Sequence, residues 1–237
     1  MTVYAIGDIH GHRDKLESAL ERIEADGGSH APVVFLGDLV DRGPDSRGVI
    51  ELLRRGCAGG RSWTVLKGNH DLLFQRFLEH GALFHPRVRG GAGWLHPRLG
   101  GVETLASYGV DAGQRDTQEV LAAARGAVPG AHRRFLGDLP LWHIAGDLLF
   151  VHAGIRPGVP LAAQDPEDLL WIRDEFLDWT GAHPWLVVHG HTAQPYPVHC
   201  GNRINLDGGA GHGRDLVPAV FEGREAFLLE PGGRVRL

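Results

Sequence analysis

Short runs of Val, Ile, Leu and Phe recur along the chain, each ending in a Gly-containing polar cluster. Segments with apolar residues at helical spacing follow several of them. Val3 to Ile6 leads into Gly7-Asp8-Ile9-His10-Gly11, after which Leu16, Ala19, Leu20 and Ile23 mark a helix. Val33 to Leu36 leads into Gly37-Asp38-Leu39-Val40-Asp41-Arg42-Gly43, and Pro44-Asp45-Ser46 opens a helix carrying Val49, Ile50, Leu52 and Leu53. Trp63 to Leu66 leads into Gly68-Asn69-His70-Asp71 and a helix through Leu72, Leu73, Phe77 and Leu78. Three consecutive strand, loop and helix units predict a mostly parallel sheet.

The rhythm breaks between about Gly81 and Arg134, where no strand pattern appears and weak helical patches cover Val102 to Tyr108 and Gln118 to Arg125. This stretch, about 81–134, reads as a helical cap inserted into a single domain that spans 1–237. Strand character returns at Leu148 to Val151, just before His152. Asp165-Pro166-Glu167 then has the acceptor-then-Pro signature of a helix start, and the helix is expected to run through Trp171 to Leu177. Later strands at Leu186 to Val188, Arg203 to Leu206, Val217 to Phe221 and Phe227 to Leu229 lack long helices between them and are expected to be antiparallel. The fold class that satisfies both halves is α/β: two mixed β-sheets in a central sandwich, flanked by helices.

Composition narrows the setting. No stretch approaches the ~18 consecutive apolar residues of a spanning helix, and the N-terminal residues lack a basic-then-apolar leader, so a soluble cytoplasmic protein without a membrane partner is expected. A net charge of -5 argues against a nucleic-acid partner, which needs a basic face. Cys57 and Cys200 share no metal-type spacing and make no disulfide framework; Cys200 reads as a small core residue. The 15 His are a surplus, which placement must sort into surface residues and residues with metal or proton chemistry.

Placement is informative. Asp8 and His10, Asp38, Asn69 and His70, His152 and His191 all follow apolar runs, at the strand ends where ligands gather in open α/β sheets. Two residues apart on an extended chain, Asp8 and His10 point to one side. Asp38 has two oxygens and can bridge two ions, and Asn69, His152 and His191 complete a second mixed site. Such nitrogen and oxygen donors without thiolate suit Mn, Fe, Zn, Co or Ni. His12 reads as a helix-start residue and His189 as a partly buried neighbour of the site, while the other His have no spacing argument.

The ordered set Gly7-Asp8-Ile9-His10-Gly11, Gly37 to Gly43, Gly68-Asn69-His70-Asp71, Val151-His152-Ala153-Gly154 and His189-Gly190-His191-Thr192 resembles the calcineurin-like metallophosphoesterases, most closely their bacterial and phage serine/threonine phosphoprotein phosphatase branch. The resemblance implies two divalent metal ions, manganese foremost, one held by Asp8, His10 and bridging Asp38, the other by Asp38, Asn69, His152 and His191. It implies His70 as general acid held by Asp41, with Arg42 and Arg173 on the phosphate. His70, unable to share the direction of Asn69 on an extended chain, is left free to face the leaving group. A hydroxide shared by the ions is expected to attack phosphorus directly, without a phosphoenzyme. The expected substrate is a phosphorylated protein or small phosphoester. Symmetrical bis(nucleosyl)tetraphosphatases share the Asp-Ile-His-Gly and Gly-Asn-His-Asp motifs and form the alternative, and Gly100 to Leu105 with Ser107-Tyr108-Gly109 resembles the cap of bacterial relatives of both kinds.

Overall fold

The computed structural model describes residues 2–113 and 116–237. The first half contains β1 (Thr2–Ile6), α1 (Arg13–Gly27), β2 (Val33–Phe35), α2 (Ser46–Ala58), β3 (Trp63–Val65) and α3 (Asn69–His80). Three further helices follow, α4 (Gly101–Ser107), α5 (Thr117–Ala127) and α6 (Gly130–Gly137), and then β4 (Trp142–Ala145) and β5 (Leu148–Val151). The chain continues through α7 (Pro166–Trp171), α8 (Asp174–Leu177), β6 (Leu186–His189), β7 (Val198–His199), β8 (Arg203–Asn205), β9 (Ala219–Glu222), β10 (Glu225–Glu230) and β11 (Gly233–Arg236).

The strands form two mixed sheets, ordered β11-β10-β9-β1-β2-β3 and β4-β5-β6-β8-β7. In the first, β1, β2 and β3 run parallel and β9 to β11 add antiparallel strands. In the second, β5, β6 and β8 run parallel, with β4 and β7 antiparallel at the edges. The antiparallel expectation therefore holds for β9 and β10 and fails for β6 and β8. The chain between β5 and β6 is long enough to cross over without a regular helix as long as those of the first half.

Alternation places the strands in a four-layer stack. Val3 and Ala5 of β1 face the second sheet, where they meet Phe150, Val188 and Ile204, while Tyr4 and Ile6 face the helices. Leu149, Val151 and Val187 turn the other way, onto α7 and α8. Strands buried on both faces read as unbroken apolar runs, which is why the first units were so legible. Residues 81–134 contain no strand among the described residues. Helices α4 and α6 pack on α2, and α5 and α6 on α3, so Leu105, Tyr108, Val120 and Leu121 share one buried cluster with α1 to α3.

Two expectations need correction here. The helix predicted through Leu177 breaks after Trp171: Ile172 is extended (φ -59°, ψ 143°) and Arg173 is non-helical before α8 begins. The break buries Ile172 while leaving Arg173 free to point elsewhere. Cys200 is exposed rather than in the core, because β7 and the turn after it lie on the sheet edge. Among the described residues no helix is long and apolar enough to cross a membrane.

Candidate active site

The loops after β1, β2, β3, β5 and β6 converge at the carboxyl ends of the parallel strands. Asp8, His10, Asp38, Asn69, His70, His152 and His191 are all buried there. The backbone is shaped for this convergence. Among the described residues, the non-glycine residues with positive φ are His10 (48°), Asp38 (49°), Asp41 (74°), Arg42 (67°) and His191 (66°), and every one belongs to these loops. Left-handed conformation costs an L-residue roughly 1–2 kcal/mol. A fully buried Val, Leu, Ile or Phe contributes about 1.5–3 kcal/mol, so the sandwich can hold five such residues in place. The convergence also corrects the extended-chain argument. His10 meets Asp8 across a turn, and Asn69 and His70 diverge because they are the first residues of α3.

Asp38 is the hub. His10 Nε2 lies 3.6 Å from its Oδ2, and His152 Nε2 lies 3.5 Å from its Oδ1, so the two oxygens face two different imidazoles. Oδ1 also accepts the His70 amide at 2.9 Å. On one side, Asp8 Oδ2 is 4.0 Å from His10 Nε2. On the other, Asn69 Oδ1 lies 2.9 Å from His152 Nε2 and 2.8 Å from His191 Nδ1. His10 and His152 each use Nδ1 to donate to a backbone carbonyl, Val40 at 3.0 Å and Leu36 at 2.8 Å, which leaves Nε2 as a lone-pair donor aimed at the carboxylates. Asp8 accepts the His191 amide with both oxygens at 3.1 Å. A Cβ on Gly190 would overlap Asp8 Oδ1, and one on Gly68 would overlap Asp38, so both positions need glycine.

Two triads of possible ligand atoms, His10-Asp38-His70 and Asp38-His152-His191, each lie within 4.8 Å, with Asp38 in both. The first holds His70, which Asp41 also engages, and not the Asp8 expected from the sequence, which stands 4.0 Å from His10 Nε2. The electrostatics fit cations. Burial, together with Asp207 and Asp38, pushes the Asp8 carboxyl well above its usual range. Burial also raises Asp38 in isolation, but His152, His70, His10 and His191 around it prevail and hold it well below that range. Burial, then Arg42 and His70, lowers His10, and burial, then His152 and Arg173, lowers His191. Imidazoles whose protonation burial disfavours, His10 and His191, beside a shared carboxylate are a donor set for divalent ions, and the buried His191 Nε2 has no hydrogen-bond partner among the described residues.

Beside this hub, His70 Nδ1 lies 2.7 Å from Asp41 Oδ2 and so can donate to it. Asp41 is fully buried and receives the Trp94 indole N–H (2.9 Å to Oδ2) and the Thr104 hydroxyl (2.7 Å to Oδ1). With Nδ1 so engaged, His70 turns Nε2 toward Arg42 Nη2, 3.2 Å away, on the cavity wall. Arg42 Nη1 reaches His10 Nε2 at 2.9 Å. Arg173 also lines the cavity and donates to Thr192 Oγ1 at 3.1 Å.

A family model described as calcineurin-like phosphoesterase matches residues 1–220. The chain belongs to that family. Among its relatives, a symmetrical bis(5'-nucleosyl)-tetraphosphatase of Dechloromonas aromatica is 34% identical over 158 residues, covering 66% of this chain and 45% of the relative. The chain thus spans less than half the length of that relative. An asymmetrical bis(5'-nucleosyl)-tetraphosphatase, PrpE of Bacillus velezensis, is 26% identical over 249 residues, covering 95% of this chain and 91% of the relative. A solved structure proposed to be a diadenosine tetraphosphatase superposes with a TM-score of 0.65 at 24% identity, over 100% of this chain and 92% of that one, and shares the fold.

Set against this phosphoesterase fold, all ten residues singled out from the sequence lie at or beside one cavity. Several neighbours were missed. Trp94 and Thr104 clamp Asp41 from a segment assigned no chemistry. Asp71 is buried and accepts the Leu39 and Gly68 amides at 3.0 and 2.8 Å, which ties the β2 and β3 loops together. Asp207 lines the cavity just after β8 and was visible to the same strand-end rule. His189 is buried, with Nδ1 3.1 Å from the Gly190 carbonyl, and takes no direct part.

Proposed function

We propose that the chain is a divalent-metal-dependent phosphoric ester hydrolase whose substrates are dinucleoside polyphosphates. The observation that carries the reading is Asp38, whose two oxygens face His10 on one side and His152 on the other. Asp8, His10 and Asp38 would hold one ion, and Asp38, Asn69, His152 and His191 the other. Two such ions, manganese foremost, would supply Lewis-acid charge for the phosphoryl oxygens and lower the pKa of a water molecule.

The chain's own residues do the rest. Arg42 and Arg173 offer guanidinium forks to the phosphate oxygens and fix the phosphorus for in-line attack. Asp41 keeps the His70 proton on Nδ1 and its ring facing the cavity, so a protonated Nε2 can hand a proton to the departing oxygen. The substrate class is supported by the tetraphosphatase relatives, one of which aligns along nearly the whole chain.

A second reading, a serine/threonine phosphoprotein phosphatase, is favoured by the buried Asp41–His70 pair. An alkoxide leaving group needs a proton far more than a nucleotide phosphate does, and this pair supplies one. The test is a substrate panel on purified chain with added Mn²⁺: diadenosine tetraphosphate against phosphoserine, phosphothreonine and phosphotyrosine peptides. We expect a preference of about a hundredfold or more in kcat/KM for the tetraphosphate. Products of two nucleoside diphosphates mark symmetrical cleavage, and a mono- with a triphosphate asymmetrical cleavage. A comparable preference for the peptides would replace the first reading with the second.

A further inference from the structure

The cavity over the hub has a volume of about 710 Å³ and is lined by five arginines: Arg42 and Arg173 near the hub, and Arg87, Arg89 and Arg98 from the strap between α3 and α4. That volume is in the range that encloses a drug-sized ligand, far more than one phosphate group requires.

We infer that this strap carries a second phosphate subsite, built on Arg89 and Arg98, that receives the phosphate chain of a polyphosphate ester beyond the reacting phosphorus. The inference rests on the reading of the cavity as a phosphoester site.

The three strap arginines have different surroundings. Arg87 is an anchor: its Nη2 lies 3.2 Å from Oδ1 of buried Asp168, which Arg156 also holds at 2.8 Å. Arg89 pairs with Asp174 at 3.3 Å, but both side chains are more than 70% exposed. An exposed pair of this kind contributes little, so a phosphate can take over the guanidinium. Arg98 donates through Nη2 to the Arg89 carbonyl, and no carboxylate of the described residues lies within 4.0 Å of it.

Gly90 (φ 77°) and Gly91 (φ 62°) adopt left-handed conformations that turn the strap between the two arginines, and buried Val88, Trp94 and Leu99 fix it to the core. Arg173, which lines the same cavity, has its pKa lowered by burial and then by the charge of Arg89, with Asp38, Asp8 and Asp174 acting the other way. Two of the lining carboxylates are paired, Asp174 with Arg89 and Glu175 with Arg156 at 3.2 Å, while Asp8, Asp38 and Asp207 belong to the hub. Among the described residues Arg98 has no carboxylate partner and Arg89 has only an exposed one, so an entering anion can gain both guanidinium groups without breaking a buried ion pair. A chain of phosphates satisfies the strap and the hub together, whereas a lone phosphate satisfies the hub alone.

The test compares inorganic tripolyphosphate with orthophosphate as inhibitors of aryl phosphate hydrolysis, in wild type and in the double variant Arg89→Gln/Arg98→Gln, at fixed excess Mn²⁺. Chelation acts equally on both proteins, so the difference between them reads the strap. In wild type we expect tripolyphosphate to inhibit about tenfold or more tightly than orthophosphate, and the double variant to bring that ratio near one. The orthophosphate inhibition constant should move less than about threefold. A ratio near one in wild type, a ratio that survives in the variant, or an equal weakening of both inhibitors overturns the subsite. An Arg89→Lys/Arg98→Lys variant should restore part of the ratio, and failure to do so under preserved melting behaviour also counts against it. If wild type ignores diadenosine tetraphosphate yet the inhibitor ratio collapses as described, the subsite stands and the substrate reading falls.

Discussion

The Trp94 indole N–H donates to Asp41 Oδ2, the same oxygen that faces His70 Nδ1. Because Thr104 engages the other oxygen, the carboxylate cannot rotate, and the ring of His70 is fixed through it. The strap and α4 therefore reach the proposed proton donor through one buried carboxyl group.

Replacing Trp94 by Phe removes that donor and keeps an aromatic ring in the Phe74 and Phe77 stack. General acids contribute roughly 10²–10⁴ to rate, so we expect partial misorientation to lower kcat about tenfold for an alkyl phosphate. An aryl phosphate, whose leaving group needs no proton, should lose much less. A leaving-group series measured on both proteins checks this. Equal losses along the series would mean that Trp94 acts only on stability.

Asp38 and His70 should separate by metal content. Asp38→Asn removes the carboxylate shared by both donor sets and should reduce bound Mn²⁺ from about two ions per chain to about one or fewer. His70→Asn should retain metal and lose turnover, because His70 is held to Asp41 rather than given over to an ion. Elemental analysis of both variants beside a kinetic assay decides it, and the reverse ordering would exchange the two roles.

Gly190→Ala tests the backbone approach that seats Asp8. The added methyl would overlap Asp8 Oδ1, so carboxylate and loop must shift. We expect metal affinity to fall at least about tenfold, as displaced supporting contacts do in other metal sites. The melting transition of the chelator-treated protein should change much less. Isothermal titration with Mn²⁺ and a parallel melt are the measurements.

His189 predicts an acid limb in stability. Burial lowers its pKa to about 3 in the folded protein, against 6.5 for an exposed imidazole. Below about pH 6.5 the unfolded chain takes up a proton that the folded chain refuses, so stability falls as pH drops from there toward 3. The difference amounts to at most about 5 kcal/mol. Buried His10 and His191 add to the same limb, so His189→Phe should make it shallower rather than abolish it, while keeping a ring against Phe176. Urea unfolding from pH 7 to pH 4 in chelator measures it, and an unchanged slope would remove His189 as the cause.

Much of this architecture was legible because buried parallel strands leave unbroken apolar runs, and their polar ends mark where ligands gather. That rule located Asp8, Asp38, His152 and His191. The same rule reaches Asp207 only once the run Arg203 to Leu206 is parallel, as β8 is, because the antiparallel strand expected there marks no ligand end. The clamp on Asp41 was hidden for a different reason. Trp94 and Thr104 lie more than 50 residues from it, and no periodicity encodes which distant side chain will donate to a buried carboxylate. The break at Ile172 escaped because Leu169 to Phe176 keeps helical spacing, although Ile172 and Arg173 leave the helix and Arg173 donates to Thr192.

The most direct test of the account is anomalous diffraction from crystals grown with Mn²⁺, recorded at the manganese edge. Two peaks are predicted, one on each side of the Asp38 carboxylate, toward Asp8 and His10 and toward Asn69, His152 and His191. A single peak, or peaks that leave Asp38 unliganded, would contradict it.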